Sequence, residues 1–190
     1  MKKKFGIRGN PIKHSLSPVL HNYWFKKYDI DAEYSIINTV EKDLTNIIKK
    51  LRDKSLTGIN VTLPYKQKII NHLDILINDA DLTGSVNTLL LDKTNSVVGE
   101  NTDVYGLQAA YLKEIDNAKN SKVLIIGAGG VSPSIILSLE KSGIKTIQLF
   151  NANRDDKIKA CSDVSGWIIR SGTKINAEII RASKHLRAIG

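Results

Sequence analysis

The sequence predicts an α/β chain in two lobes. Short β-like runs alternate with stretches of helical spacing from residue 5 onward, the pattern of sheets covered by helices. Over 122–150 an apolar run, a glycine cluster, a helical stretch and a second apolar run follow one another as a βαβ unit. With 190 residues, 42% of them hydrophobic, there is room for one large domain or two small ones, each with a modest core.

The first elements read as strand Phe5–Arg8, helix Ser17–Tyr28, strand Ala32–Asn38, helix Asp43–Leu51 and strand Gly58–Val61. In the first helix, Ser17 stands as N-cap, Pro18 fits the first turn, and Leu20, Trp24 and Phe25 are expected on the core-facing side. Beyond Pro64, the spacing of Ile69, Ile70, Leu73 and Leu76 predicts one helix over Lys66–Ile77. Residues 86–91 and Val97-Val98 read as a hairpin about Lys93–Ser96. Asn101 or Thr102 then caps a helix running to about Leu112.

The domain boundary is expected there, giving 1–101 and 102–190. In the second part, strand Lys122–Ile126 leads through Gly127-Ala128-Gly129-Gly130 to a helix over Pro133–Ser142 and a strand over Thr146–Phe150. A helix Asp155–Cys161, strand Gly166–Arg170, helix Asn176–Ala182 and strand Leu186–Ile189 continue the alternation, with parallel strands expected.

Composition narrows the class. Lys+Arg 28 against Asp+Glu 19 gives a net charge of +9, but the lysines are scattered and lack interleaved aromatics, so nucleic-acid binding is not expected. No run approaches the roughly 18 apolar residues of a membrane span, and the basic start is broken at Gly6, Gly9 and Pro11, unlike a signal peptide. The lone Cys161 excludes an internal disulfide and suits a reducing, cytoplasmic setting. His14, His21, His72 and His185 show no ligand spacing, so no metal is expected.

Several residue groups could carry chemistry. Ser15 and Ser17 flank a helix entry, where hydroxyls and backbone N–H groups suit a small carboxylate; simple capping would account for Ser17 alone. Asn60 and Thr62 share one face of a strand end ahead of Lys66, converging an amide, a hydroxyl and an ammonium that suit a polyhydroxylated ligand. Lys66 could equally be a surface residue at a helix start. Asn87 and Asp103 add an amide and a carboxylate. Gly127-x-Gly129 follows a strand and opens a helix, as in a Rossmann-like dinucleotide site, although Ser132 stands where a third glycine belongs and a plain tight turn is the alternative. The second strand ends Phe150-Asn151-Ala152-Asn153-Arg154 with no acidic residue, which fits NADP better than NAD, with Arg154 a candidate for the 2′-phosphate.

Four stretches together resemble the shikimate dehydrogenase family: Gly9-Asn10-Pro11-Ile12-Lys13-His14-Ser15-Leu16-Ser17-Pro18, Asn60-Val61-Thr62-Leu63-Pro64-Tyr65-Lys66, Gly84-Ser85-Val86-Asn87-Thr88-Leu89 and Asn101-Thr102-Asp103. With the glycine loop, the likeness covers about residues 5 to 150. It implies a substrate-binding α/β domain followed by a Rossmann-like NADP-binding domain, and NADPH-dependent reduction of 3-dehydroshikimate to shikimate on the way to chorismate and aromatic amino acids. By the same resemblance Ser15 and Ser17 hold the substrate carboxylate, and Asn60, Thr62, Asn87 and Asp103 contact ring hydroxyls. Lys66, paired with Asp103, moves the proton. Gly127, Ala128, Gly129, Gly130, Val131, Asn151, Asn153 and Arg154 are the residues it implies for the cofactor. The partners it implies are small molecules, in a monomer or homodimer.

After Phe150 the likeness changes. The family has Asn-Arg-Thr directly after the strand, whereas here Arg154 lies two positions further on, and the family's later substrate-binding glutamine helix is not recognisable. Residues 166–190 resemble instead a fragment of the phosphoglycerate dehydrogenase family, in which Arg170, Ser171 and Thr173 would be relics. The second domain is therefore expected to be truncated or recombined from about residue 151. The alternative function is a remnant that binds shikimate or NADP without turnover, and quinate is an alternative substrate.

Overall fold

The structure is a computed structural model and describes residues 2–37, 44–110, 112, 120–127, 129–150, 152–169 and 173–190. The chain divides into two compact units, 1–102 and 103–190.

The first unit is built on a six-stranded sheet of order β2-β1-β3-β5-β6-β4. Its strands are β1 (Lys3–Arg8), β2 (Ala32–Ile36), β3 (Gly58–Val61), β4 (Ile75–Asn78), β5 (Thr88–Leu91) and β6 (Val97–Asn101). β1 pairs in parallel with β2 and β3, β4 pairs in parallel with β6, and β5 runs antiparallel between β3 and β6. Helix α2 (Leu44–Arg52) buries Leu44, Ile47, Ile48 and Leu51, the i, i+3, i+4, i+7 stripe of a core-facing helix, against Ile59, Val61, Leu89 and Val97.

Three expectations change here. The single helix over Lys66–Ile77 is instead a 3₁₀ turn, Lys68–His72, followed by strand β4. Ile75-Leu76-Ile77 is rich in β-branched residues, and the Asp74 N–H donates to Val97 O at 3.0 Å while the Asp74 carboxylate accepts the Val97 N–H at 2.7 Å, drawing the segment onto the sheet edge. Helix α1 (Ser17–Lys27) buries no residue fully, and Leu20 and Trp24 are 47% and 41% exposed. Its inward side carries Phe25, tilted against Phe5, and His21, stacked on Tyr34, because Asn22 holds both the N–H and the C=O of Tyr34 on edge strand β2. This amide occupies the backbone groups through which an edge strand would recruit another chain. The N-cap of α1 is Leu16, and the serine that bonds the helix entry is Ser15, whose Oγ accepts the Ser17 N–H at 3.3 Å. Asn101 ends β6 with its side chain 2% exposed, donating to Thr83 Oγ1 and Ser85 O at 2.9 Å each and bracing the sheet, and Thr102 is the residue that directly precedes α4.

The second unit has four parallel strands, β7 (Lys122–Ile126), β8 (Lys145–Leu149), β9 (Gly166–Ile169) and β10 (Ala188–Ile189), in the order β10-β9-β7-β8. Helices α4 (Asp103–Ala110) and α5 (Ser132–Lys141) pack together through Ser138, whose hydroxyl donates to Val104 O at 3.2 Å. Ile125 joins Leu139 and Ile144 in one apolar cluster, while Leu124 and Ile126 join Cys161, Val164, Trp167 and Ile179 in another. Helices α6 (Arg154–Cys161) and α7 (Ala177–Ala182) supply the second cluster, so the sheet is covered on both faces in the Rossmann-like manner and β7 is apolar from Val123 to Ile126. No helix among the described residues is long and apolar enough to cross a membrane.

Candidate functional site

In the first unit the candidate residues gather at one end of the sheet. The carboxyl ends of β1 and β3 lead into the loops carrying Ser15, Ser17, Thr62 and Lys66, and the antiparallel β5 brings its amino end, with Asn87 and Thr88, to the same edge. The two loops are stitched together by Asn10 N–H to Leu63 O and Thr62 N–H to Arg8 O, both at 2.8 Å. They meet at Gly9, where a Cβ would stand 2.5 Å from Thr62 Cγ2 and 3.2 Å from Leu63 O, so only glycine permits this approach. Lys66 is half-buried in the turn ahead of the 3₁₀ segment, and its carbonyl accepts the Val86 N–H at 2.9 Å.

Asn60 and Asn87 share a hydrogen-bond network. Asn60 Nδ2 donates to Asn87 O at 3.2 Å and Thr88 Oγ1 at 3.0 Å, and Tyr34 Oη donates to Asn60 Oδ1 at 2.6 Å. Thr88 Oγ1 and the Thr102 N–H each donate to Asn87 Oδ1 at 3.0 Å. Sequence reasoning missed Tyr34 and also Arg8, which is 3% exposed, lies with its guanidinium carbon 4.5 Å from the centre of the Tyr65 ring and donates to Tyr65 Oη at 3.1 Å. Nothing in an Ile-Arg-Gly string signals a buried cation; only the partner ring 57 positions away explains it.

Burial raises the Tyr34 hydroxyl well above its usual value, so it stays a neutral donor. Burial also holds the His21 imidazole below its ordinary value of 6.5. The unfolded chain therefore binds more protons than the folded one in that window, and stability falls as pH drops through 6.5 toward the folded value while staying level above it. The urea midpoint of wild type is expected to fall between pH 7.5 and 5.5, and His21→Phe should remove part of that slope; an unchanged slope would contradict it.

In the second unit the glycine loop leaves β7, beside the point where the chain turns from β8 on one side of β7 to β9 on the other, the crevice position of open parallel sheets. Gly127 has φ +122°, a conformation reserved for glycine. A Cβ on Gly129 or Gly130 would meet nothing within 4 Å, so the fold itself does not require these glycines, and the space suits an approaching phosphate at the start of a ten-residue helix. The Gly129 N–H donates to Ser132 Oγ at 3.0 Å, which gives Ser132 a role in the turn, and Val131 is exposed as the N-cap. Gly129→Ala is expected to leave the melting temperature within about 2 °C of wild type and to weaken NADP(H) binding at least about tenfold. A melting-temperature loss with unchanged binding would restore the plain-turn reading.

The far side of this crevice is less open to a ligand. Asn153 is the N-cap of α6 in a capping box with Asp156, accepting the Asp156 N–H at 2.9 Å. Arg154 pairs with Glu178 and, at 2.9 Å, with Asp155. A 2′-phosphate contact by Arg154 requires that exposed pair to open. Ala128 and Asn151, together with Arg170 and Ser171, lie outside the described residues.

Comparison with known proteins bears on these two sites unequally. Residues 7–89 match the family of the shikimate dehydrogenase substrate binding domain. That match takes in Ser15, Ser17, Asn60, Thr62, Lys66 and Asn87, and stops short of Asp103 and the glycine loop. A shikimate dehydrogenase (NADP(+)) of Pelagibacter ubique is 46% identical over 151 residues, 80% of this chain and 57% of that protein. One from Clostridium perfringens is 38% identical over 162 residues, 85% of this chain and 59% of that protein. This chain thus spans somewhat over half the length of the curated shikimate dehydrogenases it matches. A solved shikimate 5-dehydrogenase from Thermus thermophilus, in complex with NADP(H) and shikimate, has the same fold, with a TM-score of 0.81 at 23% identity over 93% of this chain and 74% of that one.

Proposed function

We propose that this chain is a shikimate dehydrogenase by descent and function, reversibly reducing 3-dehydroshikimate with NADPH. The observation that carries the reading is the convergence of Ser15, Ser17, Asn60, Thr62, Lys66 and Asn87 on one sheet edge, inside the stretch that matches the substrate binding domain of that family. Residues 1–101 bind the substrate and 102–190 the cofactor. The hydroxyls and N–H groups at the entry of α1 take the substrate carboxylate, since a helix N-terminus favours negative charge. Asn60, Thr62 and Asn87 hold ring hydroxyls.

The residues of the glycine loop would hold the NADP pyrophosphate, with Asn151, Asn153 and Arg154 on the adenosine side. The cofactor supplies the hydride. Lys66 donates the proton to the forming alkoxide, and Asp103, at the start of α4, keeps the role in that relay which the resemblance assigns it. The protein works in the cytoplasm, as a monomer or homodimer. The likeness of 166–190 to a phosphoglycerate dehydrogenase fragment is read as ancestry only, since these residues provide β9, α7 and β10 of this fold.

The test is NADP+ reduction by shikimate at mildly alkaline pH, repeated with NAD+ and with quinate. Turnover preferring NADP+ and shikimate is expected. Thermal stabilisation by shikimate without turnover would reduce the chain to a binding protein, and the absence of both turnover and stabilisation would overturn the reading.

A further inference from the structure

The geometry points to Tyr34 as a positioning residue that holds the Asn60 amide in the facing its backbone partner Asn87 O dictates, so that Asn60 meets a ligand as a hydrogen-bond acceptor and not as a donor. This rests on the proposed polyol site and specifies its chemistry. The direction of the network follows from the atoms that cannot donate. Asn87 O is a backbone carbonyl and only accepts, so the Asn60 atom 3.2 Å away must be Nδ2. The second Nδ2 hydrogen goes to Thr88 Oγ1 at 3.0 Å. Asn60 Oδ1 then faces Tyr34 Oη at 2.6 Å, and the tyrosine must be the donor. Both amide hydrogens are thereby committed inside the protein, and what Asn60 can offer a ligand is the second lone pair of Oδ1. A ligand group at this position must itself carry a hydrogen, as a ring hydroxyl does and a carbonyl or ether oxygen does not.

Tyr34 is placed to do this firmly. It is 5% exposed, its ring stacks on His21 with centroids 4.2 Å apart and planes 5° from parallel, and its backbone N–H and C=O are both bonded by Asn22, at 2.9 and 2.8 Å. His21 and Asn22 belong to α1, the helix that opens at Ser15 and Ser17. Tyr34 therefore ties the carboxylate-binding helix to the amide that reads a hydroxyl.

The experiment uses the full chain, as wild type and Tyr34→Phe, with circular dichroism confirming that the variant is folded. First, the Asn60 side-chain amide protons, assigned by their loss in Asn60→Ala, are followed by NMR. Exchange with water about tenfold faster in Tyr34→Phe is expected, and equal rates overturn the inference. Second, calorimetry compares shikimate with analogues each lacking one ring hydroxyl. Tyr34→Phe should weaken shikimate about fivefold, and that gap should close to within about twofold for the one analogue lacking the hydroxyl that Asn60 accepts. The same gap for every analogue means that Tyr34 is only structural and overturns the proposal. If wild type binds none of these compounds, the shikimate reading fails, and the amide exchange alone decides the role of Tyr34.

Discussion

Lys66→Ala is expected to lower kcat for NADP+ reduction by shikimate about 10³-fold, with a smaller change in KM. General acid–base catalysis by a positioned side chain contributes roughly 10²–10⁴ in rate, and that contribution is present only in the transition state, so its loss falls on kcat. The fold should tolerate the change. Lys66 is half-buried, and its carbonyl, which accepts the Val86 N–H at 2.9 Å, survives the substitution. Lys66→Arg should not rescue, because a guanidinium keeps its charge but cannot release a proton at working pH. Asp103→Asn should also cost rate, by a smaller factor. A kcat for Lys66→Ala within about threefold of wild type, in a protein that does turn over, would remove Lys66 from the chemistry.

Trp167→Ala is expected to destabilise the second unit by about 3–5 kcal/mol. Trp167 is 1% exposed and packs with Leu124, Ile126, Cys161, Val164 and Ile179, and its strand pairs directly with central strand β7. Truncation leaves a large cavity in a small core that cannot collapse around it. Cys161 is fully buried in the same cluster and is the chain's one cysteine, so labelling by a thiol reagent under native conditions reports opening of that unit. A loss of this size should speed labelling at least about a hundredfold. Trp24, in the first unit, provides the fluorescence control, and its unfolding midpoint should stay put. If labelling is unchanged, residues 166–189 are not part of the second unit's cooperative core, despite their packing.

Much of the architecture was legible because it depends on local pattern. The stripe Leu44, Ile47, Ile48, Leu51 marks a core-facing helix, and Val123-Leu124-Ile125-Ile126 marks a strand covered on both faces. Gly127 to Gly130 marks a turn from strand to helix. Asn60 and Thr62 fall on one face because strand side chains alternate. Lys66–Ile77 is ambiguous from sequence because helical apolar spacing and a β-branched run coincide there. The choice between them was made by Asp74, whose backbone and carboxylate bond to Val97 across 23 positions.

What the sequence by itself determined, then, is the α/β class, the order of nearly all elements and which polar residues lie at strand ends, since each follows from spacing within a few residues. What only the tertiary structure decided is which of those polar groups are already engaged. Asn101 is consumed by Thr83 and Ser85, Asn153 by its capping box, Arg154 by Glu178 at a separation of 24 positions, and Asn60 is aimed by Tyr34 at a separation of 26. The cause is physical. A hydrogen bond needs its partner within about 3 Å and in line. Sequence distance carries no information about that once the chain has folded back on itself.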